Sequence, residues 1–400
     1  MKKIKFLLLA LLLCTPLVAS AGDIEINEEN FPDKYFRTHL LRQSYGADGV
    51  LTEEEINEIT SLNLNGLAYV ADLKGIEYFT ELKYLDCSRN MLTTLDFSIP
   101  AGLLTLTCSS NPFIELDLSK FPELTELNCY YCNQLTTINV SNCIALTSLA
   151  CQEGQVMALD VSNCPALINL SCFDNQLTVL DVSNNKELKT INCSKNQLAS
   201  LDVTNNKELT NINCSNNQLA ALDISTNHAL TYLTCSNNQI AVLDVSNNPA
   251  LTSLKCDGNQ LVALDLSNNI EVENVDCSRN KIKGASMDAL ISSLPQQNDK
   301  WFIVYDITRP DENVCTKTQV KAVKAKGWIP FYCSYYNGFD QSWKIYDGVD
   351  DDDPTAITRP ITETVEANIP AYTLSGQKVT GSLKGKKGVY IVGGKKVVIK

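Results

Sequence analysis

The stretch LTYLTCSNNQIAVLDVSNN, residues 230–248, is one copy of a unit that recurs along more than half of the chain. Its cysteine, Cys235, has counterparts at Cys87, Cys108, Cys129, Cys151, Cys172, Cys193, Cys214, Cys256 and Cys277, with eight gaps of 21 residues and one of 22. A fixed period of this length marks stacked supersecondary units, none of which buries its apolar side alone. Within the unit, Leu230, Leu233 and Cys235 alternate as one face of a short strand, and Leu243 and Val245 do the same on the return.

Two polar series keep the same period. Asn90, Asn111, Asn133, Asn175, Asn196, Asn217, Asn238, Asn259 and Asn280 share one register and predict a buried amide ladder that satisfies backbone groups where the coil turns. Asp96, Asp117, Asp160, Asp181, Asp202, Asp223, Asp244 and Asp265, with Asn139 in register, predict Asx-type caps of the S-x-N turn that follows.

The pattern L-x-x-L-x-C-x-x-N-x-L-x-x-L-D-V-S-x-N resembles the leucine-rich repeat, with cysteine at the third apolar position and a strand-like second half. It is most similar to the short bacterial, internalin-like branch. The resemblance implies a mainly β solenoid with short strands on both sides of the coil, and a protein that binds other macromolecules.

The chain divides by composition. Residues 1–21 read as a signal peptide: Lys2, Lys3 and Lys5, an apolar core, and Ala19-Ser20-Ala21 as cleavage site, so that a secreted or cell-surface protein would start at Gly22. Residues 22–58 are a helical N-terminal cap. They include an EF-hand-like loop, 44–55, in which Asp48 and Glu55 are the candidate calcium ligands; calcium is the single cofactor considered. The solenoid spans 59–284. An α/β C-terminal cap follows over 285–346, whose aromatics Trp301, Tyr305, Trp328 and Phe331 either plug the open core or form a carbohydrate site. Residues 347–368 are an acidic linker of the kind that stays disordered. Residues 369–400 form a small basic β module resembling the C-terminal sorting domains of type IX secretion, on the S-G-Q-x-V segment, the G-V-Y-I-V strand and the lysine-terminated last strand.

Cysteine spacing argues against a disulfide framework, because neighbouring ladder thiols point the same way. They read as buried thiols, with Cys143–Cys164 and Cys315–Cys333 as the candidate pairs. The two histidines, His39 and His228, read as surface residues, and no hydrolase, zinc or phosphate-loop motif is present. A net charge of −13, made more acidic by removal of residues 1–21, disfavours nucleic acid and anionic membrane as partners. Most exposed strand positions are small and polar. Where the repeat departs from consensus, Glu126, Tyr130, Tyr131, Gln152 and Phe173 form a candidate patch for a protein or glycan, with Tyr232 as a further exposed aromatic. The expected protein is a monomeric adhesin-like or scaffold module, not an enzyme. The alternative is a secreted enzyme or accessory subunit with Asp306, Asp311 and Glu312 in the C-terminal cap.

Overall fold

The computed structural model describes residues 22–95, 99–336 and 341–351 and four short strands between 371 and 399. The signal peptide reading, Asp96, most of the acidic linker and the Gly393-Gly394 turn lie outside the described residues.

Each coil gives three residues to one parallel sheet. Tyr232–Thr234 lies between Asn211–Asn213 and Ser253–Lys255, with Leu233 opposite Ile212 and Leu254. Fourteen strands join this way, from Ser61–Asn63 through Asn274–Asp276, then Lys300–Asp306 and Trp328–Tyr336 in parallel, and last Gln341–Ile345 antiparallel. In each solenoid strand the middle residue points inward and is buried, and the cysteine after the strand joins it in the core. On the return side, among the described residues, strands form only at Glu115–Asp117 and Thr137–Asn139, extended by a single bridge from Thr137 to Ala158. Elsewhere that side is extended chain held by single bonds between coils, such as Gln218 N to Leu198 O at 2.9 Å. The aspartates cap the turn that follows: Asp223 Oδ1 accepts from Ser225 N at 2.9 Å, and the same cap recurs at Asp160, Asp181, Asp202, Asp244 and Asp265, as it does at Asp117 and Asn139 where strands form.

Two amide ladders run through the stack. In the first, Asn217 Nδ2 donates to Cys193 O and Cys214 O, both at 3.0 Å, while its Oδ1 accepts from Leu198 N at 3.0 Å. Each such side chain ties one coil to the preceding one. Asn133 is not a member. It is exposed, and Cys132 stands in its register with Sγ donating to Cys108 O at 3.6 Å. The extra residue of this coil therefore follows the ladder position. The second ladder is Asn185, Asn206, Asn227, Asn248 and Asn269, all fully buried, with Nδ2 of Asn227 on Val203 O at 3.1 Å and Asn206 O at 2.8 Å. Cys143 and Cys164 continue this register. Each thiol reaches the carbonyl that an asparagine would: Leu118 O at 3.3 Å and Val140 O at 3.6 Å.

No disulfide joins Cys143 to Cys164 or Cys315 to Cys333, and all 15 cysteines among the described residues are buried thiols. Burial makes the ladder thiols weaker acids; those of Cys151, Cys193 and Cys235 rise to about 12. Thiolate is the reactive form. Titration with a thiol reagent at pH 7.5 is therefore expected to find almost no reaction in the native protein and reaction of these 15 groups after denaturation. A native protein that reacts freely, or an unfolded one with most thiols missing, contradicts the packing.

The two ends are closed differently. At the start, α1 (Lys34–Leu40) is capped by Asp33, and α2 (Glu53–Glu58) carries a capping box between Thr52 and Glu55. Phe31, Phe36, Leu40 and Leu51 cover the first coil. Phe31 fits because Gly75 (φ +100°) has no side chain; a Cβ there would lie 2.3 Å from the ring. At the far end, α3 (Ala285–Ser293) and α4 (Lys317–Ala325) back the last strands. Trp328 is the plug: it is 1 % exposed and its Nε1 donates to Pro295 O at 2.8 Å. Trp301 does not plug the core. It is 45 % exposed, because its place in the strand puts it on the outer face beside Asn274.

The acidic run opens docked, not free. Val349 bridges Thr316, Lys317 Nζ meets Asp350 Oδ1 at 2.6 Å, and Thr318 N donates to Asp351 at 3.2 Å. The first turn of α4 presents unpaired N–H groups and a positive dipole end, which these carboxylates meet. Beyond it, Ala371–Thr373, Lys378–Val379, Gly388–Val392 and Lys395–Ile399 form an antiparallel sheet of their own.

Candidate functional site

The outer face of the long sheet is the surface the repeats build. Two residues of every strand and the residue after each ladder cysteine point to it. Two residues beyond each ladder cysteine the backbone turns left-handed: Arg89, Ser110, Tyr131, Glu153, Asp174, Lys195, Asn216, Asn237 and Arg279 all have φ between 52 and 60°, and Gly258 has 65°. Asparagine and glycine tolerate this region, and bulky side chains rarely adopt it. The regular spacing thus fixes which side chains stand side by side, roughly 4.8 Å apart from coil to coil.

In the row after the cysteine, most coils carry a sunken serine: Ser88, Ser109, Ser194, Ser215, Ser236 and Ser278 are buried. Three successive coils instead carry Tyr130, Gln152 and Phe173, all half-buried. Glu126 is exposed on the strand of the first of these coils, and Tyr131, 55 % exposed, occupies its left-handed turn with its ring 5.5 Å from that of Tyr130. The Tyr131 hydroxyl donates to Glu153, which holds the phenol above its usual range. Gln152 Oε1 is buried without a hydrogen-bond partner. These five residues form one patch, and it coincides with the coils where the first amide ladder lapses, at Cys132 and Gly154. Tyr232 belongs elsewhere. It is exposed on the strand three coils beyond Phe173.

A second feature lies at the C-terminal end of the same face. There the last coils and the cap strands together line a cavity of about 500 Å³. Arg279 crosses its floor, paired with Asp257 and, through Nε at 3.4 Å, with Asp306. Asp276 is buried behind them, accepting from Ser278 N at 3.1 Å and Ser278 Oγ at 2.7 Å. Asp311 sits deeper, its carboxylate taking the backbone N–H groups of Arg279, Asp306 and Asn313 at 2.7, 2.8 and 2.9 Å. Glu312 is exposed and outside the cavity. Of the three cap carboxylates named from sequence, only Asp306 reaches it. Arg279, Asp257 and Asp276 carry no signal in the sequence, because each is an ordinary variant of a repeat position.

Burial, then the neighbouring Asp257 charge, pushes the Asp276 carboxyl up to about 8. Burial pushes Asp311 up to about 7 against the pull of its three N–H donors. A carboxyl in the unfolded chain titrates near ~3.9. Between that pH and about 8 the native state therefore binds more protons than the unfolded state, and stability falls as pH rises. The exposed ladder aspartates have the opposite sign: Ser162 Oγ and N hold Asp160 below its usual range, so their contribution disappears in acid. Thermal melts are expected to show greatest stability near pH ~5 and a decline toward pH 8.5 that Asp276→Asn flattens. A melt temperature that climbs from pH 5 to 8.5 contradicts this account.

The EF-hand-like loop uses its carboxylates locally. Asp48 Oδ1 accepts from Val50 N at 3.1 Å, and Glu55 Oε2 accepts from Thr52 N and Oγ1, both at 2.9 Å. Among the described residues, no group of three or more metal-ligating side chains converges, and no helix is long and apolar enough to cross a membrane.

Coils of about 21 residues, one parallel sheet on one side, and an asparagine ladder at the turn define a leucine-rich-repeat solenoid. The leucine-rich-repeat protein LIC12759 of Leptospira interrogans matches with a TM-score of 0.58 at 18 % identity, over 70 % of this chain and 79 % of that one. The functional domain of InlJ from Listeria monocytogenes, which includes a cysteine ladder, matches at 23 % identity over 83 % of this chain and 94 % of that one, with a TM-score of 0.43. The internalin InlF of the same organism matches at 23 % identity, over 69 % and 97 %, also at 0.43. No protein-family model and no curated protein matches the chain.

Proposed function

We propose that this is an exported binding protein whose sheet face docks another protein through the patch of Glu126, Tyr130, Tyr131, Gln152 and Phe173. The observation behind this reading is the run of Tyr130, Gln152 and Phe173 on successive coils, where six of the other seven coils hold a buried serine. Tyrosine and phenylalanine offer large contact area at low ordering cost, and a rigid solenoid presents them preorganised. Tyr131 adds to this. A large aromatic residue held at φ +56° costs stability, of the order of 1 kcal/mol. The left-handed turn belongs to every ladder coil; the aromatic ring on it belongs to this one. A binding role is favoured over an enzymatic one because Asp306 is committed to Arg279 and Asp311 to three backbone N–H groups. Export rests on residues 1–21 and on the basic β module. Calcium at Asp48 and Glu55 would require both carboxylates to leave their caps.

The test is an array of extracellular proteins probed with chain recovered from the culture medium, whose first residue is expected to be Gly22. Tyr130→Ala with Phe173→Ala is expected to weaken the captured interaction at least about 100-fold, since each hot-spot aromatic contributes ~2 kcal/mol or more. An unchanged affinity, with circular dichroism showing intact β structure, rules the patch out.

A further inference from the structure

The cavity at the C-terminal end of the sheet face is separate from the aromatic patch, and its chemistry selects a different ligand. Its volume, about 500 Å³, falls in the range of small-ligand clefts. One wall is Trp301, almost half exposed and held by Phe331, whose ring centroid lies 5.4 Å away. Trp343 lines the cavity from the antiparallel cap strand. The residues before Trp301 in its row are Ser253 and Asn274, so nothing large crowds its face from that side.

The floor is polar, and its charges offset one another: Lys255, Arg279 and Arg309 line it together with Asp257, Asp276 and Asp306. Arg279 answers Asp257 and Asp306, and Ser236 Oγ also donates to Asp257. Such fixed, planar carboxylate, amide and guanidinium groups hold hydrogen-bond directions in place without presenting a net charge to the solvent. A free cation would have to break the Arg279 pairs, and a free anion would find Arg279 already paired, with Asp257, Asp276 and Asp306 standing among Lys255 and Arg309. A ligand with one apolar face and many hydroxyls meets neither obstacle: it stacks on the indole and exchanges donors and acceptors with the floor.

We propose that this cavity is a binding pocket for a neutral saccharide unit, stacked on Trp301 and hydrogen-bonded by Asn274, Asp257 and Arg279. All three tryptophans of the chain, Trp301, Trp328 and Trp343, lie in the cap, so intrinsic fluorescence reports directly on the site. The experiment titrates the full chain with glucose, galactose, mannose, N-acetylglucosamine and their β-linked dimers, reading tryptophan emission and isothermal heat. At least one neutral sugar is expected to bind saturably. Trp301→Ala is expected to weaken it at least 10-fold and Asn274→Ala at least 3-fold, both residues being exposed enough for the fold to survive. Tyr130→Ala with Phe173→Ala is expected to leave sugar binding unchanged, which separates this pocket from the protein-docking patch. Failure of every neutral sugar to bind, or binding that survives both Trp301→Ala and Asn274→Ala, overturns the proposal.

Discussion

Asn217→Ala is expected to lower the stability of the solenoid by about 2–5 kcal/mol, from one buried N–H left unmet at ~1–3 kcal/mol and two further hydrogen bonds lost at roughly 0.5–1.5 kcal/mol each. The side chain donates to Cys193 O and Cys214 O and accepts from Leu198 N, so its loss strands the Leu198 amide and leaves each carbonyl with one ladder donor, Asn196 or Asn238, where it had two. Water cannot replace it, because Cys193, Leu198 and Cys214 are all fully buried. The effect exceeds what the few removed atoms would cost by transfer alone. Asn217→Asp keeps the acceptor for Leu198 N but brings a charge to the two carbonyls, so it is expected to be no better. Chemical denaturation with far-ultraviolet circular dichroism measures the change. A loss under about 1 kcal/mol would mean the ladder is not what ties the coils. The chain contains its own comparison. Cys132 offers no amide oxygen and Gly154 no side chain at the same register, and hydrogen exchange is expected to be fastest in those two coils.

Arg279→Met is the second large effect. The guanidinium lies between Asp257 and Asp306, with side-chain exposures of 13, 14 and 9 % respectively. Removing one partner of a buried pair leaves charge without compensation, a loss of about 3–5 kcal/mol. Here two carboxylates are stranded at the seam between the last coil and the cap. The cap is therefore expected to separate from the solenoid below global unfolding, with exposure of Trp328 seen as a red shift in its emission. Adding Asp257→Asn and Asp306→Asn to Arg279→Met is expected to restore most of the loss. If the triple variant is no more stable than the single one, the ion pairs are not the cause.

How far the sequence leads depends on what the period can encode. Leu233 and Cys235 are core residues by alternation alone, and the stack follows from their recurrence. Asp223 as an Asx cap was equally legible, since the serine two residues on supplies the donor. Asn133 was misplaced because an extra residue can be inserted on either side of it, and only the left-handed turn at Tyr131 fixes the ladder position on Cys132. Asn227 and its equivalents read as turn residues; their complete burial arises from packing between coils, which no single repeat displays. The same fact recasts Cys143 and Cys164 as ladder members instead of a disulfide pair. Tyr130, Gln152 and Phe173 could be aligned on paper because they share a register. The cavity could not, since it assembles Ser215 with Trp343 across the junction of coil and cap.

Sulfur-anomalous diffraction from a crystal of the chain tests the stacking most directly. Ten ladder sulfurs, from Cys87 to Cys277, are expected as a single curved file spaced roughly 4.8 Å apart, buried behind the sheet. Sulfurs joined in pairs at about 2.05 Å, or gathered around a metal ion, would contradict it.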